Sequence, residues 1–446
     1  MLTSIIIPVW NGEAVLAACL HSVFMHAGKH AIEVICVDNA SADGSVTLIH
    51  SQFPEVKLLK QPVNLGFAGG VNAGMTAARG EVFVLLNQDC LVASGWLDGL
   101  HATLQEQSDC GIVGAVIEDA QGVINHAGAL ITRPLGYGHH LTEIPSNDVA
   151  VDYVTGAIFA IRRATWERLG GMDEEFYPAY YEESDYCYRA RRHGIETYLS
   201  VRARGRHLFS SQEWHREPIR HIANQHQSRY RFICKQFSED ELIEFVEAEV
   251  AAAATEPSFH ESVGRTLASA YTREHLEEIF QQRVKDGNTV LAAPIQRLMR
   301  TGMAEIYRTA YRRSEQLTMP QVDDSTALLA GFEEWQRELG QIHEQIQASF
   351  KALAVQRREI EGLYQPLWNH QSLPIYKRIQ YGLYKLLGLA NIHQFVQLGS
   401  LQNAQAQNLE DLFQVFDHRL DLLETQITLH EYRRRLHELL LGYAQR

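Results

Sequence analysis

The stretch from residue 64 to residue 89 constrains the fold of this chain most, and it reads NLGFAGGVNAGMTAARGEVFVLLNQD. A glycine-dense loop precedes a helical pattern, and the apolar run at 82–86 is typical of a buried strand. That strand ends on Asn87, Gln88 and Asp89, at the edge where ligands bind in an open α/β sheet. Because glycines let a backbone approach phosphates and a carboxylate can hold a divalent cation, the stretch predicts a nucleotide-diphosphate site.

The size and charge of the chain limit its partners. It has 446 residues, 46% of them hydrophobic, which is enough for about two or three domains. The formal net charge of −14 argues against a nucleic-acid partner, because phosphate backbones attract basic surfaces. No apolar run reaches the ~18 residues of a membrane-spanning helix. Scattered cysteines without C-x-x-C spacing and no signal-peptide pattern lead us to expect a cytoplasmic protein.

Residues 1–237 alternate short β-branched runs with amphipathic stretches. This βαβα order predicts an α/β fold with a mixed, mostly parallel sheet and helices on both faces. The predicted strands are 4–9, 33–37, 56–59, 82–86, 112–116, 128–131 and 196–201. The predicted helices are 13–25, 45–52 and 68–78.

Strand signals disappear beyond residue 237, so the remainder is predicted to be all-α. Residues 238–241 have the form of a capping box, and we divide this half into a helical linker or subdomain at 238–330 and a region at 331–446. Heptads over 332–363 predict coiled-coil character, with self-association or packing onto the first domain. The basic stretch 374–398 leaves peripheral contact with a membrane surface open.

Two aspartates at strand ends are candidate ligand-binding residues. Asp38 closes the second strand, where a carboxylate can accept from a base N–H or a ribose hydroxyl. A turn carboxylate is an equal alternative, since Asp-Asn-Ala-Ser is turn-like. Asp89 is the candidate ligand for a hard divalent cation, and the alternative is a helix cap. Asn64 and Asn72 are short amides that suit ribose or a phosphate oxygen.

A second cluster places three carboxylates within four positions. Glu182, Glu183 and Asp185 stand close together in an aromatic setting, followed by three arginines. Burial and mutual repulsion would raise the pKa of at least one carboxyl, as a general base requires. An acidic first turn and a basic last turn also suit the helix dipole, so both roles are compatible.

Together these residues resemble the bacterial family 2 glycosyltransferases of GT-A fold, of the rhamnosyltransferase-like kind. The resemblance covers about residues 1–237. Its motifs are 5–13 (IIIPVWNGE), 37–45 (VDNASADGS), 64–89, 154–194 and His207 with Ser210.

The resemblance implies a role for each matching position. Asp89 and His207 would hold a divalent cation, Mg²⁺ or Mn²⁺, and Asn87 stands where relatives have an acidic residue. Glu183 occupies the position of the catalytic base, with Asp185 as the alternative. The nucleotide would be lined by Pro8, Asn11, Asp38, Asn64, Gly70, Asn72 and Asn87. The acceptor side would include Gly156, Trp166, Asp173 and Glu182.

The resemblance implies inverting transfer of one sugar, a hexosyl group such as rhamnosyl, to a glycan or lipid-linked acceptor in cell-surface polysaccharide synthesis. The donor is a dTDP-, UDP- or GDP-linked sugar. The alternative is a non-catalytic nucleotide-sugar-binding scaffold that acts through its helical half, since a fold alone never proves activity. A nucleotidyltransferase is disfavoured because the first loop, 5–13, lacks a basic activating residue.

Overall fold

The computed structural model describes residues 2–208 and 218–317, all of which belong to one compact unit, Met1–Pro320. Ser210, the end of the predicted 238–330 subdomain, the heptads of 331–446 and the basic stretch 374–398 lie outside the described residues. Within the described part, no helix combines the length and apolar character needed to cross a bilayer.

The first third of the chain alternates strands and helices as predicted. The predicted bounds 45–52 and 82–86 agree with the structure. The first helix begins later than predicted, because the backbone N–H groups of Val15 and Leu16 both bond to the Gly12 carbonyl in a preceding turn. The elements are β1 (Leu2–Val9), α1 (Leu16–Met25), β2 (Ala31–Asp38), α2 (Ser45–Gln52), β3 (Lys57–Lys60), α3 (Gly66–Ala77) and β4 (Val82–Leu86).

The residues from 90 to 207 add eight strands and three helices. The strand predicted at 196–201 is longer and reaches His207. The elements are β5 (Cys90–Val92), α4 (Trp96–Glu106), β6 (Cys110–Glu118), β7 (Ile124–His126), β8 (Ala129–Ile131), β9 (Gly138–His140), β10 (Val149–Ala150), β11 (Ile158–Arg162), α5 (Arg163–Leu169), α6 (Glu182–Arg192) and β12 (Glu196–His207).

The main sheet is mixed and mostly parallel, which confirms the predicted fold class. Its strand order is β10-β12-β6-β11-β4-β1-β2-β3, with β5 on β12 and β7 on β6. The pairs β1–β2, β1–β4, β2–β3 and β6–β12 are parallel, whereas β11 runs antiparallel between β4 and β6. The register pairs Val9 with Asp38 and Ile6 with Leu85, so the carboxyl ends of β1, β2 and β4 meet at one edge.

Helices cover both faces of the sheet, because side chains alternate along each strand. In β1, Ile6 packs in the core on the α3 side, together with Val71 and Met75. Its neighbours Ile5 and Ile7 pack in the opposite core with α1 and α4. All six cysteines are buried and unpaired.

Four further helices extend this unit. Ser238 and Glu241 form the predicted capping box at the start of the second one. Apolar residues of this extension, such as Phe232 and Phe245, share the core cluster of the sheet's α3 side. The predicted boundary after residue 237 therefore falls inside this unit, between its first two added helices. They are α7 (Pro218–Gln236), α8 (Glu239–Thr255), α9 (Phe259–Lys285) and α10 (Ala293–Gln316).

Candidate active site

The loop after β4 meets the end of β12 at the carboxyl edge of the sheet. His207 Nε2 lies 3.0 Å from Asp89 Oδ1 and 3.3 Å from Asn87 Nδ2. The backbone N–H of Leu208 donates to the Asp89 carbonyl at 2.9 Å. The structure thus brings together the residues predicted for the metal and one predicted for the nucleotide.

The start of α6 carries two adjacent carboxylates. Glu182 is buried and Glu183 is partly exposed, and Oε2 of each has no hydrogen-bond partner within the described ranges. Burial raises the pKa of Glu183, and burial together with the neighbouring charge of Glu183 raises the pKa of Glu182 well above its ordinary value. A backbone hydrogen bond from Gly156 to Glu183 acts in the opposite direction. The pair therefore holds a proton more readily than ordinary carboxylates do.

One cavity of about 770 Å³ joins these two groups. Asn87, Gly156, Glu182, Glu183 and His207 line it, whereas Asp89 and Asp185 are not among its lining residues. Aromatic rings form much of the remaining surface, and they come from Phe67, Tyr137, Tyr153, Tyr180 and Tyr181.

The pair of Asp89 and His207 fits a divalent cation. Their side chains are 18% and 27% exposed, and a carboxylate oxygen of Asp89 and an imidazole nitrogen of His207 lie 3.0 Å apart. In the described part of the chain no cluster of three or more His, Cys, Asp or Glu side chains has metal-binding geometry. A cation at this place would therefore complete its shell with water and substrate phosphate, as Mg²⁺ and Mn²⁺ sites commonly do.

Asn11 and Asp38 hold the loops that follow β1 and β2. Asn11 Oδ1 accepts from the backbone N–H of Ala42 at 2.8 Å, and Asp38 Oδ1 accepts from that of Ser41 at 3.2 Å. Asp38 thus takes the turn role that the sequence left open. Both residues lie at the carboxyl edge but not among the residues that line the cavity. Their contact with a nucleotide stays a prediction.

Asn64 and Gly70 shape the turn into α3. Asn64 Oδ1 accepts from the backbone N–H of Gly66 at 2.8 Å, and Gly66 has a φ of +70°. A Cβ on Gly70 would lie 2.9 Å from Asn39 Nδ2 and 3.3 Å from Pro8 Cβ, so only glycine lets α3 pack this closely on β1. Pro8, Asn64 and Gly70 accordingly support the edge where we predicted a nucleotide.

Asn72 requires a correction. Its Nδ2 donates to the Met172 carbonyl at 2.9 Å and to Glu174 Oε1 at 2.8 Å, while its Oδ1 accepts from the Met172 backbone N–H. These bonds fasten α3 to the loop that leads into α6. The amide is therefore occupied by protein groups, and we withdraw the predicted nucleotide contact.

Trp166 was predicted on the acceptor side, and this expectation is also corrected. Because β11 runs antiparallel to β4, Ile158 pairs with Leu86 near the cavity and Arg162 pairs with Val82 at the far end. The helix α5 follows Arg162, and the Trp166 ring packs against Phe83 at 5.5 Å. Gly156, just before β11, is near the cavity, whereas Trp166 lies toward the opposite edge of the sheet.

Asp185 and Asp173 form buried ion pairs away from the cavity surface. Lys235 Nζ lies 2.9 Å from Asp185 Oδ2, 2.7 Å from Asp173 Oδ2 and 2.8 Å from Asp286 Oδ2. Asp185 also accepts from Gln236 Nε2 at 2.5 Å, and its side chain is fully buried. Neither the catalytic role expected of Asp185 nor the acceptor role expected of Asp173 agrees with this placement. Both residues instead tie α6 and the loop before it to α7.

Sequence reasoning missed the part of the cavity that the helical extension supplies. These residues stand beyond every motif of the sequence, and an amphipathic helix with buried charged residues has no distinctive local pattern. They are Gln225, His226, Arg229, Glu256, Glu261 and Arg265.

A family comparison agrees with this geometry. Residues 4–169 match the family described as Glycosyl transferase family 2. The match includes the glycine loop, the end of β4 and Asp89, and it ends before the start of α6. The chain therefore contains a domain of the glycosyltransferase family 2 type at residues 4–169.

Similarity to individual proteins is distant. An uncharacterized protein, y4gI, of Sinorhizobium fredii is 27% identical over 231 residues, which are 48% of this chain and 25% of that protein, so the chain spans about a quarter of this relative. The N-acetylglucosaminyl-diphospho-decaprenol L-rhamnosyltransferase of Mycobacterium tuberculosis is 24% identical over 242 residues, 48% of this chain and 78% of that enzyme. A crystal structure of GalNAc-T7 with UDP, GalNAc and Mn²⁺ overlaps 64% of this chain and 54% of that chain, with 15% identity and a TM-score of 0.47.

Proposed function

We propose that this protein is an inverting, divalent-cation-dependent glycosyltransferase. It transfers one sugar from a nucleotide-diphosphate donor to a hydroxyl group of a glycan or lipid-linked acceptor in cell-surface polysaccharide synthesis. The observation that carries the proposal is the cavity shared by His207, Asn87 and the Glu182–Glu183 pair. A single substrate in this cavity could contact both the proposed diphosphate-binding group and the proposed proton acceptor.

Glu183 is the proposed general base. It lies at the N-terminus of α6, lines the cavity, and is the residue that the family resemblance puts at this step. Its raised pKa brings the carboxylate closer to the proton affinity that efficient general-base catalysis requires. Glu183 takes the proton of the acceptor hydroxyl as the oxygen attacks the anomeric carbon and the bond to the diphosphate breaks.

Asp89 and His207 are the proposed cation ligands. A bound Mg²⁺ or Mn²⁺ would supply electrostatic stabilisation of the negative charge that develops on the diphosphate leaving group. Asn87 Nδ2, 3.3 Å from His207 Nε2, helps to orient the imidazole. Asn11, Asp38 and the glycine-rich turn into α3 are the proposed surroundings of the nucleoside.

The donor and acceptor classes are supported by resemblance and by one relative. That relative's name describes transfer of L-rhamnose to a lipid-linked N-acetylglucosamine. We therefore place a dTDP-linked sugar first among donors, with UDP- and GDP-sugars next. A cytoplasmic location, with peripheral membrane contact through the basic stretch 374–398, would suit a lipid-linked acceptor.

A thermal-shift screen of nucleotide sugars, with and without Mn²⁺ or Mg²⁺, tests this function. The true donor raises the melting temperature through mass action, and it does so more strongly with the cation. Slow donor hydrolysis, with NMR of the released anomer, then tests catalysis and inversion. Donor binding without any turnover on a wide acceptor panel would favour the scaffold alternative.

A further inference from the structure

The wall of the cavity opposite the sheet is built by helices outside the family match. Helix α7 contributes Gln225, His226 and Arg229, and α9 contributes Glu261 and Arg265. The match ends at residue 169, so this wall belongs to the helical extension of this chain. It faces the cavity that also contains Glu183.

The two arginines of this wall are held in internal ion pairs. Both terminal nitrogens of Arg229 donate to Glu249, at 2.9 and 2.6 Å, and the guanidinium also bonds to the Leu135 carbonyl at 2.5 Å. Arg265 bonds to Glu249 and donates to the Tyr137 hydroxyl at 2.8 Å. Glu249 is fully buried. The guanidinium groups of Arg229 and Arg265 therefore neutralise the buried charge of Glu249, and they are not available to bind an anionic ligand.

A hydrogen-bonded relay orients Glu261. Burial lowers the pKa of His226 to about 4, so the imidazole is neutral. Its Nδ1 accepts from Arg229 Nη2 at 2.9 Å, which places the proton on Nε2. That proton is donated to Glu261 Oε2 at 2.8 Å, and the pKa of Glu261 is lowered chiefly by this hydrogen bond. Glu261 is thus an ionised carboxylate of fixed orientation, with 36% of its side chain exposed.

The wall formed by α6 presents a second acceptor group. Glu182 is only 4% exposed, it lines the cavity, and its Oε2 lacks a hydrogen-bond partner among the described residues. A buried oxygen without a partner is unfavourable unless a ligand donates to it. Tyr137 and Tyr153 add aromatic rings to the same cavity. Hydroxyl groups and an apolar ring face are the features of a ligand that would satisfy both kinds of surface.

We propose that the wall formed by α7 and α9 is the acceptor subsite, and that it selects an uncharged sugar ring over an anionic one through Glu261 and Gln225. Carboxylates accept strong, charge-assisted hydrogen bonds from sugar hydroxyls. The ionised carboxylate of Glu261 repels the negative charge of a uronic acid or phosphate group. This inference rests on the proposed function, because it names the acceptor of that reaction.

The test uses the full-length chain and matched glycosides. Octyl β-glucoside, β-galactoside and N-acetyl-β-glucosaminide are each paired with the analogue that carries a carboxylate at C6, and their dissociation constants are measured by saturation-transfer NMR. We expect at least one neutral glycoside to bind about tenfold tighter than its carboxylate partner. Glu261→Gln should weaken neutral binding about fivefold and reduce the preference, because it removes a charge while keeping the shape.

Glu277→Gln is the matched control, since Glu277 lies on the same helix and pairs with Arg300 at the surface. Gln225→Ala is a second variant of the same wall. The melting temperature of each variant shows whether a change in affinity comes from a loss of folding. Equal or tighter binding of the carboxylates, no binding of any neutral glycoside, or unchanged affinities in both wall variants would overturn the inference. Donor-dependent thermal shift and hydrolysis in the wild type are independent readouts, so a failed acceptor subsite is distinguishable from a failed transferase.

Discussion

His207 Nε2 and Asp89 Oδ1 lie 3.0 Å apart, although 118 positions separate the two residues. The contact exists because the end of β12 pairs antiparallel with β5, so that His207 stands opposite Cys90, the residue after Asp89. A backbone ladder thus fixes the spacing of the two side chains. The distance between Asp89 and His207 therefore rests on a strand pairing.

Asp89→Asn and His207→Ala should each reduce transfer by at least about 100-fold, because each variant removes a proposed cation ligand. Removal of a residue that only supports a metal ligand can already reduce activity by up to about 100-fold. Chelation by EDTA should have the same effect on the wild type, and added Mn²⁺ should reverse it. The measurement is donor hydrolysis together with the Mn²⁺-dependent thermal shift. Asp98→Asn is the control, since Asp98 is 61% exposed and pairs with His30. Retained Mn²⁺ dependence in both site variants would refute the assignment.

Glu183→Gln should lower kcat by about 100-fold or more, the usual contribution of a general base. The fold should persist, because burial makes the ionised form of Glu183 costly and an amide carries no charge. Circular dichroism melts and single-turnover rates separate the two effects. A variant that keeps normal transfer would contradict the role of Glu183.

The pH profile of the wild type should report the same pair. A general base must be deprotonated before it can accept a proton. We therefore expect kcat/KM to rise with pH through an apparent pKa above the ordinary 4.5 of a glutamate. This apparent pKa belongs to Glu182 and Glu183 jointly. Since the folded state holds these protons more tightly than the unfolded state, their contribution to stability is lost as pH rises from the unfolded pKa through the raised folded pKa. An apparent pKa at or below 4.5 would argue against this base.

Asp185→Asn should act on stability more than on chemistry. Lys235 would lose one of its three carboxylate partners in a fully buried position, at a cost of about 1.5–3 kcal/mol. Urea denaturation should therefore show a large loss for Asp185→Asn and a small one for Glu183→Gln. Activity per folded molecule should follow the reverse order. The opposite pattern would identify Asp185 as the base.

Glu249 should make stability fall in acid. Two arginines and the Tyr230 hydroxyl surround the carboxylate of Glu249. Burial by itself would raise the pKa of Glu249. The charge of Arg229 and its hydrogen bonds outweigh burial and lower this pKa to about 2. The stabilisation is present above the ordinary pKa of 4.5 and is lost as pH falls from there toward 2. Glu249→Gln leaves two buried guanidinium groups without their counter-charge and should cost about 3–5 kcal/mol at pH 7.

Denaturation at pH 7 and pH 4 checks this prediction. The difference between wild type and Glu249→Gln should shrink at the lower pH. Glu247→Gln on the same helix serves as the control, because Glu247 is exposed. A difference that does not vary with pH would show that the carboxylate is not ionised by its arginine partners.

Sequence reasoning succeeded where structure is local. The strand at 82–86 and the helix at 45–52 were predictable because apolar runs and amphipathic periods act over a few neighbours. The capping box at Ser238 was predictable for the same reason, since its two hydrogen bonds join residues three apart. Asp89 and Glu183 could be singled out as candidates because each stands at the end of a recognisable element.

Prediction from the sequence failed for residues whose contact partners lie far away along the chain. Asp185 resembled a catalytic carboxylate until α7 supplied Lys235, 50 positions later. Asn72 resembled a ligand-binding amide until the loop at Met172, 100 positions away, occupied it. Trp166 was misplaced because the direction of β11 is set by its pairing with β4 and β6, which no local pattern encodes.

The amino-acid sequence by itself determined the alternating elements, the glycine turn, the acidic start of α6 and the membership of a sugar-transferring family. Those properties follow from local propensities and from motifs of fixed spacing. Tertiary structure alone decided which carboxylates face the cavity, which are consumed in buried ion pairs, and that α7 and α9 close one side of it. Such choices depend on long-range packing, because a charged side chain becomes structural or reactive only according to the partner that folding brings beside it.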